Sequence, residues 1–478
     1  MRFVPAPPPA AEVEALHEAS LRLLAEVGVR VPSRRALHLL HDAGAEVNAE
    51  AEVVRFPRRL VEDAVARAPR EVLLAGRDPA ADVRLGVGRS CLLTLDGTGA
   101  STLDHRTGER RASTLRDLGE ATLVADHEPE IGVVWNIVTT ADTPPNARVL
   151  YETETCLRHT GKHVQAEVQR AEEVPYVLDL LAAVAPGGRW DPARPLFSIV
   201  YCPVSPLQHE PEMVEAAIDL ARAGVPMCLY SMGLAGATTP VTVAGSAMQS
   251  NAEILSSLVL FQVVNPGLAC IYVADTGLMD LMSGLYRAAP PEAVLVTQAM
   301  VSLGRRYDLP VMASGLTSDA LGFGHASGID ATLTCLPALL MEPDLFVGAG
   351  MHDGAQLLSL PKILLDVELF RACRRVLEGF VIDEEHLMVD VAAAVGPGGH
   401  YLGERKTRAF LRNGEIYRPR HRLRETGATA ADAPDEVARA AEAVDAILAA
   451  HRPAPLPEGA AARVGEILTA AAAELPQR

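Results

Sequence analysis

The chain reads as an α/β protein, an eightfold βα (TIM-type) barrel with helical extensions at both ends. Three observations predict this. Eight short apolar stretches lie between about residues 91 and 350. Most are followed by a helix-length amphipathic segment. Each stretch is rich in β-branched or aromatic residues, as parallel strands buried on both faces require. The stretches span 91–97, 131–138, 162–168, 195–203, 226–233, 268–275, 310–315 and 344–350. Helical segments follow at 146–158, 211–223, 290–306 and 361–377, among others. Three of these open with Pro, the residue favoured at a first helical position. In such barrels chemistry occurs at the carboxyl ends of the strands.

Residues 1–88 form the N-terminal helical extension. A first helix carries Val13, Leu16, Leu23, Leu24 and Val27 and stops at Gly28. A second opens at Ser33 and closes at Gly44, and a third opens at Pro57 and ends at Pro69. The barrel domain spans 89–380. The extension 381–478 holds a Gly-rich loop at 395–407 and two Ala-rich helices near 434–451 and 458–475.

Bulk properties narrow the function classes. With 478 residues, 49% hydrophobic and 22% charged, the chain is an ordinary globular protein large enough for a sizeable core. A formal charge of −18 argues against nucleic acid or an anionic membrane as partner. No secretion signal is read, and the charge-free window 255–274 is broken by Asn265, Pro266 and Gly267. It reads as buried helix, turn and strand, so a cytoplasmic location is expected. The seven cysteines are scattered without a CxxC, so neither disulfides nor a zinc ribbon is expected. His159 and His163 have ligand-like spacing, but Gly161 breaks the helix between them, so no metal site is expected. No dinucleotide fingerprint, nucleophile elbow or HExxH helix occurs.

The strand ends hold an unusual set. The chain has 2 Trp, 9 Tyr and 9 Phe, yet Trp135, Tyr201, Tyr230, Tyr272 and Phe323 all sit at or near predicted strand ends. Asp96, Glu167, Asp275, Asp319 and Asp353 accompany them. Aromatic faces with carboxylates, and without lysine or arginine, suit an organic cation. Each good contact between a desolvated quaternary ammonium and a ring contributes about 2 kcal/mol. The alternative reading is structural: the tyrosines fill barrel layers and the acids cap helices.

Several segments carry a family resemblance. They include LHEASLRLLAEVGVRV, LLAGRDPAADVRLG, LDHRTGERRASTLRDLGEATLVAD, CPVSPLQ, GATTPVTVAGSAMQSNAEILSSLVLFQVVNPG, SGLTSDALG, LPKILLDVELF and VGPGGHYLGE. The chain resembles the trimethylamine methyltransferase family, in its non-pyrrolysine branch with the corrinoid-dependent glycine betaine methyltransferases. The resemblance implies a TIM-type barrel that moves a methyl group from a methylamine or quaternary amine to cob(I)alamin on a separate corrinoid protein, with no tightly bound cofactor of its own. Trp135, Tyr201, Tyr272 and Phe323 are then expected to bind the cationic face. Asp275, Asp319 or Asp96 is expected to neutralise it, and His325 or His352 to hold the carboxylate of a betaine-like substrate. Asp319 and His325 are the candidate catalytic pair.

Two departures bear on the substrate. Ordinary residues, Gly322, Phe323 and Gly324, stand where methylamine-specific members use pyrrolysine. A quaternary amine is therefore the expected donor. The tail reads GERKT, so Lys406 stands where the family usually has His. Two other functions remain open: a lyase or hydrolase without corrinoid on the same barrel, and a non-catalytic betaine-binding protein. The helices outside the barrel make a homo-oligomer an expectation.

Overall fold

The computed structural model describes residues 8–86, 91–422 and 435–477. The predicted boundary at 88/89 lies outside them. All eight predicted stretches are strands: β1 (Leu92–Leu95), β2 (Ile131–Trp135), β3 (His163–Ala166), β4 (Phe197–Tyr201), β5 (Met227–Leu229), β6 (Cys270–Ala274), β7 (Val311–Ser314) and β8 (Leu345–Ala349). They close into one barrel in which every neighbour is the next strand in sequence. All pairs are parallel, from Val164 beside Phe197 round to Leu93 beside Ile131. Each strand leads to a helix: α1 (Leu115–His127), α2 (Arg148–His159), α3 (Val174–Val184), α4 (Pro211–Arg222), α5 (Val243–Val264), α6 (Pro291–Arg306), α7 (His325–Leu339) and α8 (Leu360–Glu378).

The window 255–274 is the end of α5, a turn in which Gly267 takes φ +86°, and β6. Among the described residues no helix is long and apolar enough to cross a membrane. Nearly all of α5 is buried, because β-strands lie on one side and the N-terminal helices Ala10–Glu26 and Arg58–Arg67 on the other. The second N-terminal helix, Arg34–Asp42, is capped by Ser33, whose Oγ accepts from Ala36 N at 2.9 Å.

Side-chain parity sorts the strands into two cores. Phe197, Ile199 and Tyr201 of β4 and Cys270, Tyr272 and Ala274 of β6 face outward, into the layer shared with the helices. Val133 and Trp135, Val200, Cys228 and Tyr230, Ile271 and Val273, Met312, and Leu345 and Val347 form the barrel interior. The interior is closed at the amino ends of the strands by the hairpin Val72–Leu74/Val83–Leu85, which contributes Val72, Leu74, Val83 and Leu85. Each such side chain contributes on the order of 2 kcal/mol by leaving water.

Tail helix Glu436–Ala450 packs on α8 and α1, and Ala460–Glu474 packs on α3 and α2. Both share the outer core with the barrel. Helix α8 starts at the strand carboxyl ends, where Asp366 accepts from Gly350 N at 2.9 Å. Toward its end Arg371 pairs with Glu130, just before β2. The segment after Gly379 therefore leaves from the barrel face opposite the mouth. Its Lys406 pairs with Asp390 at 2.8 Å, within the same segment.

Candidate active site

Two small sheets built from the strand-to-helix loops flank the barrel mouth. Ser101–Leu103, Arg110–Ala112, Met351–His352 and Leu357–Leu358 form one. Leu234–Ala235, Gly277–Met279 and Tyr286–Arg287 form the other. Between them the last inward positions of the strands converge.

Asp96 follows β1 and is 9% exposed. One carboxylate oxygen accepts from Gly97 N at 2.8 Å, while Oδ2 has no partner. Burial pushes its carboxyl up to about 7, and the nearby Asp275 carboxylate adds to the rise. Asp275 follows β6 with inward parity and accepts from Thr276 N at 2.8 Å. Burial raises it to about 6, against the opposing hydrogen bond from Ser314. Glu167, after β3, is also raised by burial.

The aromatic walls stand beside these acids. The Trp135 and Tyr230 rings lie 5.7 Å apart at a 56° tilt. Gly97 lies against the indole, where a Cβ would make an ordinary contact with the Trp135 ring at 3.5 Å. Trp135 Nε1 is buried without a partner. Tyr286 packs between Gly277 and Gly354, either of which would clash with the ring if it carried a side chain. His352 is fully buried, with the Phe323 ring edge-on at 4.8 Å. Burial pulls its imidazole down to about 3, and neither ring nitrogen has a partner. Unpartnered buried polar atoms are costly unless something else occupies their hydrogen bonds, so these three side chains mark a place for a ligand.

The structure thus brings together Asp96, Trp135, Asp275, Phe323 and His352 from the expected set. Tyr201 and Tyr272 are corrections. Tyr201 faces α5, with its hydroxyl 2.6 Å from His209 Nδ1 and its ring edge-on to Phe261. Tyr272 donates to Asn251 Oδ1 at 2.9 Å. Both have the outward parity of their strands, and both tyrosines fill the outer core. Asp319 is also otherwise engaged. Its carboxylate pairs with Arg287 at 2.8 Å and accepts from Ala288 N at 2.7 Å, tying the β6 hairpin to the loop after β7. His325 stands exposed at the first position of α7. The two do not form a hydrogen-bonded pair. Asp353 sits at the rim, paired with Arg110 at 2.8 Å. His159 and His163 are structural: His163 Nδ1 lies 3.1 Å from two carbonyls, and Ser198 Oγ approaches Nε2 at 2.9 Å.

The trimethylamine methyltransferase (MTTB) family model matches residues 6–476. The chain belongs to this family. Trimethylamine methyltransferase MttB of Desulfitobacterium hafniense is 33% identical over 457 residues, covering 96% of this chain and 92% of that relative. A glycine betaine methyltransferase from strain Y51 of the same species is 26% identical over 410 residues, covering 85% of each chain. Among solved structures, the Methanosarcina barkeri monomethylamine methyltransferase (MtmB) superposes with a TM-score of 0.52 at 10% identity. That match covers 93% of this chain and 89% of the other, so the fold is shared.

Within this trimethylamine methyltransferase scaffold, some residues that shape the site escaped sequence reasoning. Glu253 of α5 is fully buried and braces two mouth loops. It accepts from Ser205 Oγ at 2.6 Å, Leu207 N at 2.9 Å and Ser231 Oγ at 2.6 Å. Glu152 of α2 does the same for the loop after β2, accepting from Thr140 N at 2.7 Å and Asn136 Nδ2 at 3.3 Å. Lys362 donates to Asp366 and to Leu316 O, joining the ends of β7 and β8. A carboxylate inside an otherwise apolar helix, as at Glu253 in NAEIL, was the available signal.

Proposed function

We propose that this methyltransferase takes a methyl group from a quaternary ammonium donor and passes it to the cob(I)alamin of a separate corrinoid protein. One observation carries the reading: partnerless carboxylate, indole and imidazole groups line a mouth walled by aromatic rings. The similarity to a glycine betaine methyltransferase supports a quaternary nitrogen as the methyl carrier.

The chemistry needs little from the protein beyond placement. When docked, the corrinoid supplies the two-electron nucleophile. As the methyl carbon is taken, the C–N bond breaks with its electron pair on nitrogen, and a neutral tertiary amine leaves. No proton moves, so the absence of an Asp319–His325 pair is no obstacle. Trp135 and Tyr230 hold the cationic face, and Asp96 and Asp275 balance its charge until nitrogen becomes neutral. Walls from the two small sheets exclude water and hold one methyl toward the opening. The rim exposes Met232, Val241, Leu281, Met282, Leu285 and Leu321, an apolar surface suited to a docking protein.

A thermal-shift screen with glycine betaine, proline betaine, carnitine, choline and trimethylamine tests the reading. A ligand at about 100 times its Kd adds about 2.7 kcal/mol of stability. The expected result is a shift with a quaternary amine and none with trimethylamine, followed by methylation of cob(I)alamin by that donor. No shift with any quaternary amine overturns the proposal.

A further inference from the structure

Three carboxylates at the mouth, Asp96, Asp275 and Glu167, lack a cationic partner. The described cations around the barrel mouth are already paired. Lys362 of α8 is buried against Asp366 at 2.7 Å, and Arg422 is paired with Glu368 at 2.7 Å. At the rim, Arg287 and Arg110 are held by Asp319 and Asp353. Burial, and then the Lys362 charge, pull the His352 imidazole down to about 3, so it adds no positive charge near neutral pH. Among the described residues, polar groups acting on Asp96 or Asp275 include the hydroxyls of Tyr230, Tyr286 and Ser314 and the thiol of Cys202. Among the described residues the pocket therefore offers negative charge and neutral donors, and no free positive charge.

We infer that this mouth selects ammonium donors whose remaining arm is uncharged, choline or a tetraalkylammonium, and rejects zwitterionic betaines. The inference rests on the quaternary-ammonium reading above and narrows it. A betaine must place its own carboxylate close to its nitrogen, and so beside Asp96 and Asp275. Like charges in a desolvated site repel strongly. Trp135 Nε1–H and His352 serve a hydroxyl arm as well as a carboxylate, since both are neutral donors. The neutral arm keeps those hydrogen bonds without the repulsion.

Protonation of Asp96 gives the test its sign. Burial pushes its carboxyl up to about 7. A bound monocation favours the ionised form, so binding expels a proton and strengthens as pH rises. A betaine bound through a protonated Asp96 would show the opposite trend.

Isothermal titration calorimetry of the full chain with choline, tetramethylammonium and glycine betaine, at about pH 6 and about pH 8, reads both features. Choline or tetramethylammonium should bind about tenfold more tightly at the higher pH. Their affinity should exceed that of glycine betaine, and buffers of different ionisation enthalpy should report proton release. Asp275→Asn, checked for folding by circular dichroism, should narrow the gap between choline and betaine. Betaine binding as well as choline, or tightening as pH falls, overturns the inference and leaves the quaternary-ammonium reading standing. No binding by any of the three at either pH overturns both.

Discussion

Trp135 sits at the last inward position of β2, where its ring meets Tyr230 and its Nε1 waits for an acceptor. Trp135→Ala removes the best cation-binding face, worth about 2 kcal/mol, so Kd for the bound quaternary amine should rise roughly 30-fold by calorimetry. Asp96 and Asp275 act on stability as well as binding. Their folded-state values, about 7 and about 6, lie above the ordinary Asp value. Their contribution is thus fully present below about pH 4, and is lost as pH rises through about 6 to 7. Asp96→Asn removes part of that loss. The ligand-free variant should melt higher than the parent by about 1–3 °C at pH 8, with little difference near pH 4. Differential scanning calorimetry across that range checks it.

At the element scale, the mouth is held by acids that never touch it. Helix α5 sends Glu253 to the loop after β4 and to Ser231 after β5, so one buried carboxylate sets the positions of two loops. Removing it strands several buried donors. Glu253→Ala should cost about 2–4 kcal/mol in urea unfolding. It should also speed amide exchange at Leu207, whose N–H would lose its acceptor. The motif block around NAEIL was visible in the sequence, yet its physical purpose was not, because the partners lie 22 to 48 residues away. Strand positions were legible for a local reason: runs of β-branched residues mark themselves. The face on which each residue stands was not. Both sides of a parallel barrel strand are buried, so no polar alternation tells Tyr272 from Asp275.

Across the whole molecule, the extensions complete the barrel rather than decorate it. The hairpin before β1 plugs the floor, and the tail helices cover α1, α2, α3 and α8. Leu74 is fully buried in that plug. Leu74→Ala should open a cavity beneath the pocket and cost about 3 kcal/mol in urea unfolding. With the mouth 's acids and aromatics intact, quaternary amine affinity should change less than twofold, which calorimetry separates from the stability loss.

The sequence by itself determined the eight strand–helix units, the helical extensions and the family, because periodicity, turn residues and motif blocks are local properties. It also determined that acids and aromatics gather at strand ends without free bases. Only the tertiary structure decided which of them meet. Strand parity turned Tyr201 and Tyr272 outward and kept Trp135, Tyr230 and Asp275 inward. A partner 32 residues away claimed Asp319 for Arg287, and the closed barrel left Asp96 Oδ2 without a partner. Charge compensation is a contact between elements, and it comes into being only when the barrel closes.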